Sequence, residues 1–266
     1  MRIDYGARTD VGCVRELNED NLRVVPELSL FILSDGIGGA AHGEIASELA
    51  VTTIEEHCRK ATSDPSLPYE GEFRPDLSER TNRLASALRL ANQAIYQAAS
   101  SNSDMRGMGA TIVAVWLDGE RLSLAHVGDS RAYRLRQQAL EQLTRDHSLV
   151  AEQVRLGILT PEQAEHSEYQ TMLIRALGAS EAVEVDVDEH LMLQGDSYLL
   201  CSDGLSRMVP DEQIADAIRS TPKSQKAADH LIDLAKQAGG LDNVTAILVS
   251  CQPKPRRLFG FFRRDS

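Results

Sequence analysis

The sequence contains no long apolar run and no closely spaced cysteines. No stretch approaches the ~20 consecutive apolar residues that a membrane-spanning helix requires. The first residues do not resemble the apolar core of a secretory leader. The four cysteines are scattered, without the spacing of a zinc site or of a disulfide framework. We therefore expect a cytoplasmic protein whose cysteines are reduced.

Positive charge is also scarce. The 28 Lys and Arg residues are outnumbered by 40 Asp and Glu residues, which gives a formal charge of -12. Because nucleic-acid binding depends on Lys and Arg neutralising phosphates, this charge argues against a nucleic-acid partner. Residues 253–266 are the exception, with five basic residues, one acid and three of the five phenylalanines. We expect this tail, residues 252–266, to be a disordered terminus, and the alternative is weak contact with an anionic membrane or a partner.

The hydrophobic pattern predicts an α+β fold. Strand-like runs at 2–7, 22–25 and 29–34 precede two helical stretches, and four runs from 109 to 144 are spaced as an antiparallel meander. A polar insert at about 147–177 is followed by a strand, two helices and a final strand. This order predicts one domain with two antiparallel sheets between outer helices, a four-layer αββα sandwich with an inserted flap.

The tripeptide Ser-Asp-Gly occurs twice, each time directly behind an apolar run. Asp-Gly is a favoured hairpin connection, and Asp118-Gly119 lies between two apolar runs that can pair, so a hairpin is predicted there. Asp35-Gly36 and Asp203-Gly204 have no such partner run, because each leads into a helix-like stretch. Their aspartates therefore need another explanation.

Four aspartates fall at predicted strand ends, namely Asp35, Asp129, Asp203 and Asp242. Carboxylates that converge on one end of a sandwich repel each other unless a cation lies between them. These motifs place no His or Cys as an obvious ligand, so their oxygen donors favour Mg²⁺ or Mn²⁺ over Zn²⁺. Gly36 strengthens this prediction, because a residue without a side chain lets its own carbonyl approach an ion closely.

The segment TDVGCVRELNEDN, residues 9–21, supplies further charged groups. The guanidinium of Arg15 can hold an oxyanion while Glu19 and Asp20 face the metals, either directly or through water. The alternative for Arg15 is a surface salt bridge with Glu16 or Glu19.

Eight segments in chain order resemble the metal-dependent serine/threonine protein phosphatases of type 2C, in their bacterial form. They are RELNED, SDGIGGAAHGE, GATIVAV, HVGDSRAYRL, LTRDHSLV, LIRALG, LLCSDGL and DNVTAILV. The resemblance spans about residues 1–251, which we predict to be the catalytic domain, and the insert at 147–177 matches the family's mobile flap.

The resemblance implies a binuclear Mn²⁺ or Mg²⁺ centre at one end of the sandwich. It implies that Asp35 bridges both ions, that the Gly36 carbonyl binds one of them, and that Asp203 and Asp242 bind the other. Two such ions about 4 Å apart lower the pKa of a bridging water and stabilise the phosphoryl oxygens during in-line attack. The implied catalytic residues are Arg15, Asp35 and Asp203.

The same resemblance gives roles to the remaining acidic and basic positions. Glu19 and Asp20 are expected to act largely through ordered waters. Asp129, together with Asp203, matches the residues that hold a third, weaker ion in bacterial members. Arg15 matches the arginine that binds the substrate phosphate.

The implied function is hydrolysis of phosphoserine and phosphothreonine by a metal-bridging hydroxide. The expected partners are phosphorylated proteins, among them a cognate bacterial Ser/Thr kinase and its substrates, and we expect a monomer. The alternative is a catalytically weak sensor that keeps the fold and binds phosphoproteins.

One position departs from the family pattern. Animal members have a histidine directly after Asp-Gly that is thought to protonate the leaving oxygen, and here that position is Ile37. We interpret the nearby His42 and His126 as structural and expect a metal-bound water to act as the acid.

Two other motifs suggest different chemistry. Residues 36–41, GIGGAA, fit a dinucleotide fingerprint but lack the second parallel strand that the motif requires. Cys201 and Arg207 have the spacing of cysteine-dependent phosphatases, but Asp203 between them would repel both a thiolate and a phosphate.

Overall fold

The first sheet joins the two ends of the described chain. The computed structural model describes residues 1–38 and 42–253. Neighbouring strands of this sheet are antiparallel, and β1 pairs with β11 along its whole length. Its spatial order is β1 (Arg2–Asp10), β11 (Val244–Gln252), β10 (Ser197–Cys201), β7 (Arg131–Arg136) and β8 (Ala139–Gln142).

The second sheet is also antiparallel and contains the first Ser-Asp-Gly segment. Its order is β2 (Asp20–Val25), β3 (Leu30–Ile37), β5 (Ile112–Asp118), β6 (Arg121–Val127) and β9 (Asp186–Leu191). The short strand β4 (Gly109–Ala110) pairs with the end of β3. This pairing extends β3 beyond Asp35 as far as Ile37.

The helices cover the outer faces of the two sheets. The second sheet packs against α1 (Gly43–Ser63) and α2 (Glu79–Ser101). The first sheet packs against α5 (Asp203–Ser206), α6 (Asp211–Ser220) and α7 (Ser224–Gln237). Among the described residues, two further α-helices, α3 (Leu149–Arg155) and α4 (Pro161–Ala164), lie in the inserted flap. The predicted four-layer αββα sandwich is therefore confirmed.

The continuous apolar runs arise because the central strands are buried on both faces. In β3, Leu30 and Ile32 face α1 and α2, whereas Phe31 and Leu33 face the other sheet. Successive side chains point to opposite faces of a strand, so an inner strand in this sandwich needs apolar residues at every position. The run before each Ser-Asp-Gly segment thus anchors its aspartate to a rigid core.

The structure corrects two details of the predicted strand order. The meander from 109 to 144 does not stay in one sheet, because β6 and β7 lie in different sheets. The chain crosses between them at Gly128, whose φ of 107° is unfavourable for any residue with a side chain. Strand β9 was not predicted, since its sequence DVDEHL is mostly polar. The predicted hairpin at Asp118-Gly119 is confirmed by the pairing of β5 with β6.

No helix in the described parts of the chain is long and apolar enough to span a bilayer. The predicted tail begins at the last residue of β11, Gln252, and its residues 254–266 lie outside the described residues.

Candidate metal centre

A cavity of about 810 Å³ opens at one end of the sandwich. Seven of the eight residues predicted for the site line it, and the eighth, Asp20, lies behind them. Residues of the flap close one side. The seven predicted residues are Arg15, Glu19, Asp35, Gly36, Asp129, Asp203 and Asp242.

Strand pairing places the first two carboxylates of the site side by side. Asp20 begins β2 and is paired in register with Asp35 of β3. The backbone N–H of Thr111 donates to the Asp35 carbonyl at 2.8 Å, and the Asp35 N–H donates to the Thr111 hydroxyl at 3.2 Å. The backbone of Asp35 is therefore fixed while its side chain faces the cavity.

The second Ser-Asp-Gly segment brings two more carboxylates to the same cavity. Asp203 begins α5, and Asp242 lies in the loop before β11. Gly204 allows the two to approach, because a Cβ at Gly204 would lie 2.0 Å from the carbonyl oxygen of Asn243. Asp203 and Asp35 both line this cavity. The two Ser-Asp-Gly segments, from different sheets, thus meet at one point.

Crowding of these acids raises their pKa values. Burial, followed by the neighbouring carboxylates of Asp20, Asp203, Asp129 and Asp242, raises the pKa of Asp35 well above its usual value. Burial raises the pKa of Asp203 as well, and Asp242 adds to the effect. Negative charge in this cavity is therefore unfavourable unless a cation is present.

Asp20 supports the site from behind the cavity. Its Oδ2 accepts hydrogen bonds from the hydroxyls of Ser202 at 2.8 Å and Thr245 at 2.7 Å. Its Oδ1 is buried and has no hydrogen-bond partner among the described residues. Burial raises the pKa of Asp20 to about 7. A buried carboxylate oxygen without a partner is costly, and a cation or its water would satisfy it.

The backbone around Gly36 is packed too closely for a side chain. A Cβ at Gly36 would lie 2.1 Å from the carbonyl oxygen of Gly43 and 2.7 Å from that of Glu19. The Gly36 N–H donates to the Glu19 carbonyl at 3.1 Å. Glycine at this position thus lets three backbone segments pack together at the edge of the cavity. The carboxyl group of Glu19 also lines the cavity, and burial raises its pKa.

Arg15 lies at the rim of the cavity. Its Nη2 is 2.9 Å from Oδ2 of Asp242, and its side chain is half exposed. This contact differs from the alternative suggested by the sequence, a salt bridge with Glu16 or Glu19. The hydrogen bond and the charge of Asp242 raise the pKa of Arg15, so the guanidinium stays charged beside the carboxylates.

Asp129 contacts a residue that was not predicted for the site. Arg207 Nη2 lies 2.9 Å from Asp129 Oδ2, and its Nη1 lies 3.0 Å from Asp203 Oδ2. Burial and the charge of Asp203 raise the pKa of Asp129 to about 7, although Arg207 opposes this shift. The sequence signal was available, because Asp203 and Arg207 are four residues apart in a helix-like stretch. Arg106, another cavity residue, lies in a loop and gave no signal.

The donor set fits hard divalent cations. Carboxylates from five segments and a close-packed glycine line one cavity, and burial with mutual repulsion raises the pKa values of several of these carboxylates. Oxygen-only donors of this kind suit Mg²⁺ and Mn²⁺.

Comparison with known protein families identifies the family to which this chain belongs. The sequence model of the protein phosphatase 2C family matches residues 14–240. The chain is a member of the protein phosphatase 2C family. The family predicted from the eight motifs is therefore confirmed.

Several bacterial members of the phosphatase 2C family are similar along most of this chain. The serine/threonine protein phosphatase PstP of Mycobacterium tuberculosis is 39% identical over 246 residues, 92% of this chain but only 44% of PstP. The serine/threonine phosphatase stp of Listeria welshimeri is 38% identical and matched over 93% of its length. A crystal structure of the PstP catalytic domain with two manganese ions superimposes with a TM-score of 0.79, covering 94% of this chain and 99% of that one.

The histidines considered as acids in this phosphatase 2C fold do not line the cavity in the described residues. His42 precedes α1 and lies 3.5 Å from Glu44. His126 is buried, its Nε2 lies 2.9 Å from the Arg145 carbonyl, and burial lowers its pKa to about 4. Ile37, at the position of the animal histidine, does line the cavity. These positions are consistent with structural roles for both histidines.

A second group of ligand-type side chains lies outside the cavity. Ligand atoms of His126, His147 and Asp186 lie within 4.8 Å of one another. A cation is already present there, because Arg175 donates to Asp186 Oδ1 at 2.5 Å and lies 3.1 Å from His147 Nε2. This group is an ion-pair network at the base of the flap and differs from the carboxylate site.

Cys201 is not placed to act as a nucleophile. It is fully buried in the core at the end of β10, and burial raises the pKa of its thiol to about 12. Arg207 pairs with Asp129 and Asp203. The spacing typical of cysteine-dependent phosphatases therefore does not form a thiolate site here.

Proposed function

We propose that this chain is a metal-dependent serine/threonine protein phosphatase that hydrolyses phosphoserine and phosphothreonine in proteins. The observation that carries the proposal is the convergence of five carboxylates, from β3, α5 and three loops, on one cavity with an arginine at its rim. Repulsion between these carboxylates destabilises the folded state when no cation is bound. With cations bound, the cavity can accept a phosphate dianion.

The metal-binding roles follow from which groups face the cavity. Asp35 lies between the other carboxylates and would contact both ions, with the Gly36 carbonyl on one ion and Asp203 and Asp242 on the other. Glu19 and Asp20 would act mainly through water. When bound, two Mn²⁺ or Mg²⁺ ions supply an activated water and neutralise charge on the phosphoryl oxygens.

Arg15 would orient the substrate phosphate. Its half-exposed guanidinium is held at the rim by Asp242 alone among the described residues. When Asp242 faces a cation, the guanidinium is free to bond two phosphoryl oxygens in parallel. Such a clamp holds phosphorus in line with the attacking water.

The flap at 147–177 is proposed to select protein substrates. Four of its residues line the cavity, and five of the twelve exposed large hydrophobic residues of the described chain belong to it. Exposed apolar side chains beside a catalytic cavity suit contact with a polypeptide around the phosphorylated residue. The five are Leu156, Ile158, Tyr169, Met172 and Ile174.

The partners, oligomeric state and cellular location of the enzyme are proposed from the sequence. The partners would be phosphorylated proteins, including a cognate Ser/Thr kinase and its substrates, with a monomeric catalytic unit of residues 1–251 in the cytoplasm. Removing residues 253–266 should leave hydrolysis of a small aryl phosphate unchanged, because no proposed site residue lies there. Loss of that hydrolysis on truncation would contradict the assignment of the tail as a separate segment.

Measuring phosphopeptide hydrolysis at controlled metal concentrations tests this function. We expect no turnover after thorough chelation, recovery with Mn²⁺ or Mg²⁺, and activity on phosphoserine and phosphothreonine peptides. Turnover that survives chelation would overturn the mechanism. Tight binding of phosphopeptides without turnover in saturating metal would instead support the alternative, a phosphoprotein sensor with the same fold.

A further inference from the structure

Arg207 lies between the two carboxylates that the family resemblance assigns to a third ion. It directly follows α5, and its guanidinium contacts Asp203 at 3.0 Å and Asp129 at 2.9 Å. The same Nη2 donates to the backbone carbonyl of Gln170 at 3.0 Å, and Gln170 belongs to the flap. One side chain thus joins the metal centre to the flap.

The residues present do not fit a third divalent ion. An ion between Asp129 and Asp203 needs oxygens that already face Arg207. Oδ2 of Asp129 accepts a hydrogen bond from Arg207 Nη2 at 2.9 Å, and Oδ2 of Asp203 is ion-paired with Arg207 Nη1 at 3.0 Å. A guanidinium does not lose its proton in proteins, so it cannot become a neutral ligand. A divalent ion would have to expel Arg207 and leave Gln170 without this donor.

We propose that Arg207 takes the place of the third ion in this protein. Its charge holds Asp129 and Asp203 together, and its bond to Gln170 fixes the flap beside the cavity whether or not free metal is abundant. Asp203 lines the same cavity as Asp35 and Asp242, so these three carboxylates stay available to the two-ion centre. The inference rests on the proposed function, because it assumes that two ions bind at Asp35, Asp203 and Asp242.

The first test counts and locates ions by anomalous diffraction from crystals soaked in millimolar Mn²⁺. We expect two ions in the native protein, and in Arg207→Ala a third ion between Asp129 and Asp203. In Arg207→Ala combined with Asp129→Asn the third ion should be lost again. A third ion in the native protein at this position, with Arg207 displaced, would overturn the inference while leaving the proposed function intact. Absence of every ion would overturn both.

The second test measures hydrogen exchange of the flap in solution. Exchange of residues 165–172 should increase at least severalfold in Arg207→Ala, because Gln170 loses its donor. Arg219→Ala is the matched control, since Arg219 also pairs with an aspartate but lies on α6 and contacts Asp216 and Gln138. Unchanged exchange in Arg207→Ala, or an equal increase in both variants, would contradict the link to the flap.

Arg207→Lys guards against the case in which Arg207→Ala does not fold. It keeps one positive charge but cannot bond Asp129, Asp203 and Gln170 with a planar fork. We expect it to bind two ions and to show intermediate exchange in the flap. Two ions with fully native exchange in Arg207→Lys would show that charge alone suffices and would overturn the role of the Gln170 contact.

Discussion

The two Ser-Asp-Gly segments have the same sequence but different surroundings. Asp35 lies inside β3 and has no ion-pair partner among the described residues, whereas Asp203 begins α5 and pairs with Arg207 at 3.0 Å. The serines differ too, since Ser34 donates to the Thr111 carbonyl and Ser202 donates to Asp20. The tripeptide therefore does not encode one local conformation.

Both segments share a close backbone approach at the glycine. A Cβ would lie 2.1 Å from a backbone oxygen at Gly36 and 2.0 Å from one at Gly204, but at Gly119, in the hairpin, it would meet nothing within 4 Å. Glycine after these two aspartates is thus required for packing at the site, while in the hairpin it is required for a positive φ. In the hairpin, Asp118 ends β5 and pairs with Arg121 of β6, so the chain turns directly after Asp118.

Asp35→Asn is expected to have the largest effect. Removing the central charge weakens the binding of the catalytic ions, so kcat should fall at least about a hundredfold. Each tenfold loss of rate corresponds to ~1.4 kcal/mol of lost transition-state stabilisation. Asp118→Asn, in the hairpin Asp-Gly, is the matched control and should keep native kcat. Steady-state kinetics on a phosphopeptide with saturating Mn²⁺ distinguishes the two, and near-native turnover of Asp35→Asn would refute the metal assignment.

Arg15→Ala tests the other arginine near the two segments. Arg207 is paired with two aspartates, Asp203 and Asp129, whereas the half-exposed Arg15 is paired with Asp242 at the rim of the cavity. We expect kcat/KM on a phosphopeptide to fall by about ten- to a hundredfold through loss of the clamp. Stability should change by less than ~1 kcal/mol, as for other exposed pairs. Native kinetics in this variant would show that Arg15 does not bind the substrate phosphate.

Alanine substitution at the three Asp-Gly glycines should separate close packing at the site from backbone conformation in the hairpin. Gly36→Ala and Gly204→Ala are each expected to lower the free energy of unfolding by about 1–3 kcal/mol or more, because the new Cβ overlaps a backbone oxygen. Gly119→Ala should cost only ~1 kcal/mol, from the left-handed φ of 60°. Urea denaturation in saturating metal measures all three, and equal costs would show that packing at the site is not what requires glycine.

Much of this site was predictable because it follows apolar strands. The runs before Asp35 and Asp203 are buried on both faces and so were recognisable as strands, and the motif order gave the family. Strand β9 was missed because its sequence is mostly polar. The spacing of Arg207 from Asp203 was visible in the sequence, but its pairing with Asp129 was not, because these two residues lie 78 positions apart and only the folded chain brings them together.

Stability without metal should depend on pH through the crowded acids. Asp20 and Asp129 have pKa values of about 7 in the folded protein against ~3.9 in an unfolded chain, so the folded state binds more protons between these values. The stabilisation that these two acids give the folded state is complete below about pH 4 and is lost as the pH rises through 7. We expect the Tm in chelator to fall from about pH 5 to pH 8, and Mn²⁺ to raise it more at pH 8.

A Tm in chelator that rises over this interval would contradict the crowding of negative charge. Asp129→Asn offers a control, because it removes one raised pKa and should flatten the pH dependence. Asp118→Asn, at an exposed position, should leave it unchanged.

Cys201→Ser should have the smallest effect on turnover. Cys201 and Leu33 occupy the same place before the two Ser-Asp-Gly segments, and both are fully buried. Since burial raises the pKa of the Cys201 thiol to about 12, it is neutral at working pH and serves as an apolar residue. Serine there buries a hydroxyl and should cost about 1–3 kcal/mol of stability, with kcat within about twofold of native well below the Tm. Cys201→Ala separates lost packing from the buried hydroxyl. If both variants fold and bind Mn²⁺ but do not turn over, the thiol takes part in the reaction and the two-ion mechanism is wrong.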